Sequence, residues 1–297
     1  MIVKNVIMQD NGEVMKKIIA LFCFLLSMIE LTAQDKFVIA PSLLECKYHF
    51  IAIKDTVRRN KQEADSVILR IGANVSQSFS GKTFFLESND QDSIGFQILK
   101  KKIDWAFASG QIELAPSKSL NPEYLYKNYP EGKITTMTQE LFAGFVYQED
   151  FVSQKWAITD SIKQILHYPC RLATCIFRGR TYFAWFAVDI PYHEGPWKFS
   201  GLPGLILEVY DINKDYHYTA YSVEDHSLSP ITLYNFDKQA YIPTDRVTFL
   251  RTRKLLRTGF PVGDIPLLKE VVWLGKKVSY TQRERRHLLY DFLECDY

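Results

Sequence analysis

Between residues 43 and 54 apolar and polar positions alternate. Leu44, Cys46, Tyr48, Phe50 and Ala52 share one parity; Glu45, Lys47 and His49 share the other. Successive side chains of a strand point to opposite faces, so the pattern predicts a half-buried β-strand. A charged connection, Asp55 to Asp65, leads to expected strands at Ser66 to Ile71 and Lys82 to Leu86, with Asn74 to Ser80 between them. From Asn89 to Ser109 the spacing changes to three and four. Ile94, Ile98, Leu99, Ile103 and Phe107 then gather on one side of a helix, which Ser88 or Asn89 can cap at its start and Gly110 at its end. Lys133 to Gln139 and Phe142 to Gln148 read as a strand pair, and Ala157 begins a polar link to His167-Tyr168-Pro169.

The densest pattern runs from Cys170 to Val223. Arg171 to Phe177 and Thr181 to Asp189 flank the short turn Arg178-Gly179-Arg180 and predict a hairpin. Along the second strand both parities are apolar, with Phe183, Trp185 and Ala187 against Tyr182, Phe186 and Val188, as expected of a strand covered on both sides. Leu205 to Tyr210 and Tyr216 to Val223 predict another hairpin. Thr244-Asp245 opens a basic helix that runs to Thr258, Val271 to Val278 reads as a last strand, and Thr281 to Tyr297 as a charged tail. Sequential hairpins imply antiparallel pairing, because parallel strands need long crossovers. The expected fold is therefore mainly β (α+β): a large curled antiparallel sheet of about nine or ten strands with two or more helices packed on it.

Composition fits this picture. With 47% hydrophobic and 14% aromatic residues among 297, the chain can fill a core, and a net charge of +2 argues against a nucleic-acid binder. The N-terminus changes the setting. Met15-Lys16-Lys17 precedes an apolar run, Ile18 to Ile29, broken only by Ser27, and Ala33 offers a cleavage point. That is the pattern of a secretory signal. At about 12 residues the run is too short to span a bilayer, which takes roughly 20. Residues 1–34 are expected to be an upstream extension plus signal peptide, and 35–297 a single exported domain, in the periplasm or outer envelope and without a transmembrane anchor. Cys46, Cys170, Cys175 and Cys295 remain after cleavage. In an oxidising compartment they suggest up to two disulfides, with Cys46 or Cys295 joined to the 170–175 region, against the alternative of buried reduced thiols.

The segment Gly201-Leu202-Pro203-Gly204-Leu205-Ile206 invites a physical explanation. Its glycines allow backbone angles or approaches that a Cβ forbids, and Pro203 holds Leu202 extended. With the exit Asp189-Ile190-Pro191 and the turn Gly195-Pro196-Trp197 it makes a lip between two strands, over which Trp197 and Phe199 can fold. Two readings compete. One is a tight packing crossing; the other is a ligand or docking lip formed by Trp185, Trp197, Phe199, Gly201, Leu202, Pro203 and Gly204.

Cys170, Ala173-Thr174, Phe177, Arg178-Gly179-Arg180, Ala184-Trp185, Ile190-Pro191, Gly195-Pro196-Trp197, Phe199 and Gly201 to Glu208 together resemble the GLPGLI family of secreted bacterial proteins, with the signature lying in 168–211. The resemblance implies export and assigns no reaction. Cys175 is an extra thiol against the family pattern, and an Asn-Pro-Ile sequence frequent in the family is missing after Arg286. By analogy, the sheet is expected to be similar to the periplasmic lipoprotein-carrier half-barrel.

Catalytic constellations are sparse. Asp189, Glu194, Glu208 and Asp211 are the carboxylates near the signature. The six histidines show no metal-binding spacing, and there is neither a Gly-x-Ser-x-Gly elbow nor a phosphate loop. No cofactor or metal is expected. The sequence points to a non-enzymatic protein that binds a hydrophobic ligand or a partner such as an outer-membrane protein. A deep apolar cavity lined by Tyr182, Trp185 and Phe186 would suit the ligand; a flat or filled interior would suit the partner protein. The alternative is a thiol- or carboxylate-dependent hydrolase using Cys170, His167, Asp189 or Glu208. Arg246, Arg251, Arg253, Lys254 and Arg257 are read as the solvated face of their helix.

Overall fold

The computed structural model describes residues 37–53, 62–119, 121–140, 143–236, 240–257, 272–273, 276–277 and 293–296. The chain divides into Met1–Val38 and Ile39–Tyr297. The expected leader and Cys23 lie outside the described residues, as do Lys54 to Lys61 and most of the expected charged tail.

After strand β1 (Phe37–Ala40) come β2 (Leu44–Ile53), β3 (Gln62–Ile71) and β4 (Ser76–Ser80), then helices α1 (Gly81–Asn89) and α2 (Ser93–Ala108). Next are β5 (Glu123–Lys127), β6 (Lys133–Glu140), β7 (Ala143–Asp150), β8 (Ala157–Ile165), β9 (Tyr168–Phe177) and β10 (Arg180–Ala187). The chain continues with β11 (Leu205–Asp211), β12 (Tyr216–Glu224), β13 (Ile231–Leu233), β14 (Ile242–Pro243) and helix α3 (Arg246–Arg257). The expected strand from Val271 to Val278 is instead a short antiparallel pair, β15 (Val272–Trp273) with β16 (Lys276–Lys277).

Twelve strands form one sheet in the order β14-β7-β6-β5-β4-β3-β2-β12-β11-β10-β9-β8. Its neighbours pair antiparallel, except β14, which runs parallel to β7. The fold is mainly β and the sheet is not closed into a barrel. It curls nonetheless. Arg178, in the β9–β10 turn, pairs with Glu149 at the end of β7, although these strands belong to opposite halves of the order.

The inner face carries the core. Cys46, Tyr48 and Phe50 of β2, Leu69 of β3, Leu125 of β5, Tyr182 and Phe186 of β10 and Val209 of β11 belong to one buried cluster. Ile190, Trp197, Phe199 and Leu202, from the connection between β10 and β11, complete it. A second cluster seats α3 on β7 through Phe145, Tyr147, Phe249 and Leu250.

Several elements differ from expectation, each for a physical reason. Ser76-Gln77-Ser78-Phe79-Ser80 is a strand, though it has one large apolar residue. It is buried on both faces because hydrogen bonds satisfy its polar side chains: Gln77 Nε2 donates to Thr232 O at 2.9 Å, Ser80 Oγ to Asp65 Oδ2 at 2.6 Å and Ser76 Oγ to Glu194 Oε2 at 3.0 Å. Lys82 to Leu86 belongs to helix α1, whose start is capped by Ser80 Oγ accepting from the Thr83 amide at 3.0 Å. Ala157–Ile165 is an edge strand, almost wholly exposed, so its polar character does not mark a loop. In α2 the cap is Asp92, and of the expected apolar side only Leu99 is buried, while Ile94 and Phe107 are exposed.

Candidate functional site

Residues 188–204 leave β10 and turn inward before β11 begins. The turn-back requires Gly204. A Cβ there would meet Ala187 O at 2.1 Å and Ala187 C at 2.6 Å, so the strand end and the lip touch backbone to backbone. Gly201 has φ of +91°, and its amide donates to His193 O at 2.9 Å. Leu202, Leu205 and Ile206 are fully buried, whereas Pro203 is exposed.

Two buried lysines anchor the lip. Lys127 of β5 donates to Gly195 O at 2.8 Å and Phe199 O at 2.9 Å, and it pairs with Glu194. Burial pulls its ammonium below the usual range, with Glu194 opposing. Lys198 pairs with Glu149 and, at 2.6 Å, with Glu294. Arg178 and Arg246 reach the same carboxylates and Asp296, which binds the described end segment Leu293–Asp296 to the lip. From the other side, Trp156 Nε1 donates to Ser200 O at 2.8 Å.

Held between these anchors, Trp197 has φ of +52°, an uncommon conformation for a large residue. Its amide donates to Ser78 Oγ at 3.1 Å, and its indole N–H is buried without a hydrogen-bond partner among the described residues. Trp197 and Leu293 border a small half-open pocket of about 40 Å³. Phe50, Val67, Leu125 and Tyr218 from the sheet line it, and Ser78, Ser80, Asp65, Ser119, Asn121 and Glu123 supply polar edges. Tyr218 stacks on Phe50 at 4.3 Å. Burial, with Asp65 and Glu123 nearby, holds that phenol firmly protonated. The Asp65 carboxylate accepts from the Ser66 amide at 2.7 Å, Ser80 Oγ at 2.6 Å, the Lys82 amide at 3.2 Å and Ser119; burial nonetheless raises its pKa above the ordinary range.

Of the residues expected to form the site, Trp197 alone lines this pocket. Phe199 packs behind it against Tyr182 and Trp156, and Gly201, Leu202, Pro203 and Gly204 shape the lip. Of the two outcomes weighed for Tyr182, Trp185 and Phe186, a deep cavity or a filled interior, the structure shows the filled one. Tyr182 and Phe186 are solid interior, and Trp185 sits on the opposite face of β10, half-buried under the Lys163 ammonium at 5.5 Å. The sequence alone did not single out Ser78, Asp65, Asn121 or Tyr218. The one available signal was the inward parity of Tyr216, Tyr218 and Ala220 on β12.

Among the described residues no disulfide forms, which departs from the pairing of Cys46 or Cys295 with Cys170 or Cys175. Cys46, Cys170 and Cys175 are each enclosed by core, and burial pushes their thiols up to about 12, 11 and 12. The hydrolase residues do not converge. Cys170 Sγ lies 3.5 Å from Tyr168 O, His167 is exposed with its ring tilted against Tyr168, and Asp189 is exposed. Glu208 is held by Lys163 and by His217 Nε2 at 2.8 Å, and Thr219 Oγ1 meets that same nitrogen at 3.1 Å. A hydroxyl–imidazole–carboxylate relay needs both ring nitrogens, so this group orients side chains rather than passing a proton. Desolvation opposes the Glu208 charge, but His217 and Lys163 hold its carboxyl below the usual range. Among the described residues no group of three or more His, Cys, Asp or Glu side chains could hold a metal ion, and no helix is long and apolar enough to cross a membrane.

Fold and site together define a mainly β protein with an open curled sheet and a lip-roofed pocket. A family model described as a protein of unknown function (Porph_ging) matches residues 177–208, which hold the β9–β10 turn, β10, the lip and the start of β11. Two solved structures of PNGF-II, in space groups P21 and C2, are similar at a TM-score of 0.45 and 14% identity; 71% of this chain is covered, against 33% and 32% of theirs. The chain thus spans about a third of their length. No curated protein matches.

Proposed function

We propose that this is an exported, non-enzymatic protein of the cell envelope that holds a small molecule in the pocket beneath Trp197. One observation carries the reading: Trp197, Phe50, Val67, Leu125 and Tyr218 line one concave site together with the polar side chains of Ser78, Ser80, Ser119 and Asn121. Concave shape, an apolar wall and a few converging polar groups are the general marks of a ligand site. Export rests on the basic and apolar leader, Met15 to Ala33. The polar edges favour an amphipathic guest over a purely hydrophobic one. Protein recovered from its native envelope without denaturation should carry a small-molecule adduct in native mass spectrometry, and Trp197→Ala should lose it. Adduct-free protein, with indole fluorescence that ignores every fraction of an envelope extract, would remove the reading.

A further inference from the structure

Helix α2 meets the rest of the protein along a narrow side. Its buried residues are Gly95, Leu99 and Ala106, two of them small, and it docks on α1. At about 3.6 residues per turn, Ile94, Ile98 and Trp105 fall within about 40° of one another, roughly a quarter of a turn round from that side. They are 74%, 41% and 53% exposed. Lys101 and Lys102 fall on either side of this apolar line, and both are exposed. The Lys102 ammonium lies over the Phe85 ring of α1 at 4.4 Å, and neither lysine makes an ion pair among the described residues.

We propose that this face of α2 rests on a bilayer with anionic headgroups, the helix lying in the plane of the surface. The inference does not depend on the pocket beneath Trp197. Another protein is the competing cover, and the lysines argue against it. The core of a protein interface is depleted in lysine, yet here two lysines border the apolar line directly. A bilayer surface accepts that arrangement. Isoleucine and tryptophan reach the acyl boundary, while lysine stems run alongside and leave their ammonium groups among the phosphates. Tryptophan is enriched at that depth. The helix cannot span instead. Its 16 residues give about 24 Å against a hydrocarbon core of about 30 Å, and Lys100 to Lys102 sit at its middle. Phe96 and Phe107 are exposed on its other side, but there Lys100 is paired with Asp104 at 2.5 Å, so that side offers an anion less charge.

The test is sedimentation of the mature chain, without the apolar leader, with vesicles of phosphatidylglycerol and phosphatidylcholine in equal parts. The chain should pellet with these, stay in solution with phosphatidylcholine alone, and be released by added salt. Lys101→Gln combined with Lys102→Gln should weaken binding at least about tenfold, at about fivefold per lysine. Ile98→Glu should also weaken it at least about tenfold. Arg251→Gln combined with Lys254→Gln, which removes two exposed charges from α3, should leave it unchanged. Brominated acyl chains should quench part of the indole fluorescence of the bound protein, and Trp105→Phe should remove that part. Unchanged circular dichroism would establish that each variant folds. The proposal falls if the chain stays in solution with both vesicles, if the α3 pair matters as much as the α2 pair, or if the quenching survives Trp105→Phe. A dimer that Ile98→Glu dissociates, without vesicle binding, would overturn it and assign the face to a second copy of the chain.

Discussion

Gly204 concentrates the logic of the lip in one atom that is not there. Any Cβ would press on the Ala187 carbonyl at 2.1 Å, and that atom is backbone held in the β10 ladder. Gly204→Val should therefore lower stability by more than about 2 kcal/mol, read as a fall in the urea midpoint; an unchanged midpoint would contradict the backbone contact. This much was legible beforehand, since Gly-Leu-Pro-Gly leaves few reasons for two glycines other than tight turns and close approach. The role of Trp197 was legible only as a large ring near a lip. Its positive φ belongs to a turn held by Ser78 and Lys127, which come from other strands and which no local pattern connects to it. Residue spacing reports which face a side chain takes and is silent about what waits on that face.

Helix α3 makes the same point for an element. Its boundaries follow from Thr244-Asp245, and Asp245 Oδ1 does accept from the Thr248 amide at 2.9 Å. The solvated basic face expected of it holds for Arg251 and Lys254, which are exposed. It fails for Arg246 and Arg253. Arg253 is buried in pairs with Glu123 and Glu140, both at 2.7 Å, and Arg246 joins the Glu294 group. These partners lie far away in sequence, so a charge run read alone resembles any wet helix surface. Arg253→Gln should cost about 3 kcal/mol, because two buried carboxylates lose their counter-ion, whereas Arg251→Gln should stay within about 0.5 kcal/mol in the same denaturation assay. Equal effects would mean that α3 is not docked through Arg253. The misread of β4 and α1 has a related cause. β4 is stabilised by hydrogen bonds that its serines and Gln77 make to distant residues, and hydrophobic periodicity does not register them.

For the whole molecule, the ion group joining β7, the β9–β10 turn, the lip, α3 and Leu293–Asp296 ties global stability to pH. Burial opposes the charge of Glu294, but Lys198, Arg246 and Arg178 outweigh it and hold its carboxyl below the ordinary 4.5; Arg246 and Arg178 do the same for Asp296, against an ordinary 3.8. In the native state these groups bind protons less readily than in the unfolded chain. The stability they contribute is complete above their ordinary values and is lost as pH falls through the native ones. Thermal midpoints should therefore drop below about pH 4.5, and Glu294→Gln should flatten that slope; a variant with the wild-type slope would place the acid sensitivity elsewhere. The open curled sheet itself was legible from successive hairpins. The closure of its two halves by charge was not, because it depends on carboxylates and guanidiniums brought together only once the sheet has bent.

The three enclosed thiols carry a further consequence. A disulfide forms by attack of a thiolate, and at neutral pH Cys46, Cys170 and Cys175 stay almost wholly protonated inside the core. An oxidising surrounding therefore has little to act on while the chain is folded, and the fold substitutes for a reductant. Iodoacetamide should label exposed Cys295 in the native protein and reach the other three only after unfolding. The hazard then lies in the interval between emergence and folding, when the same sulfurs are unprotected and a wrong crosslink could trap the chain before its sheet has curled.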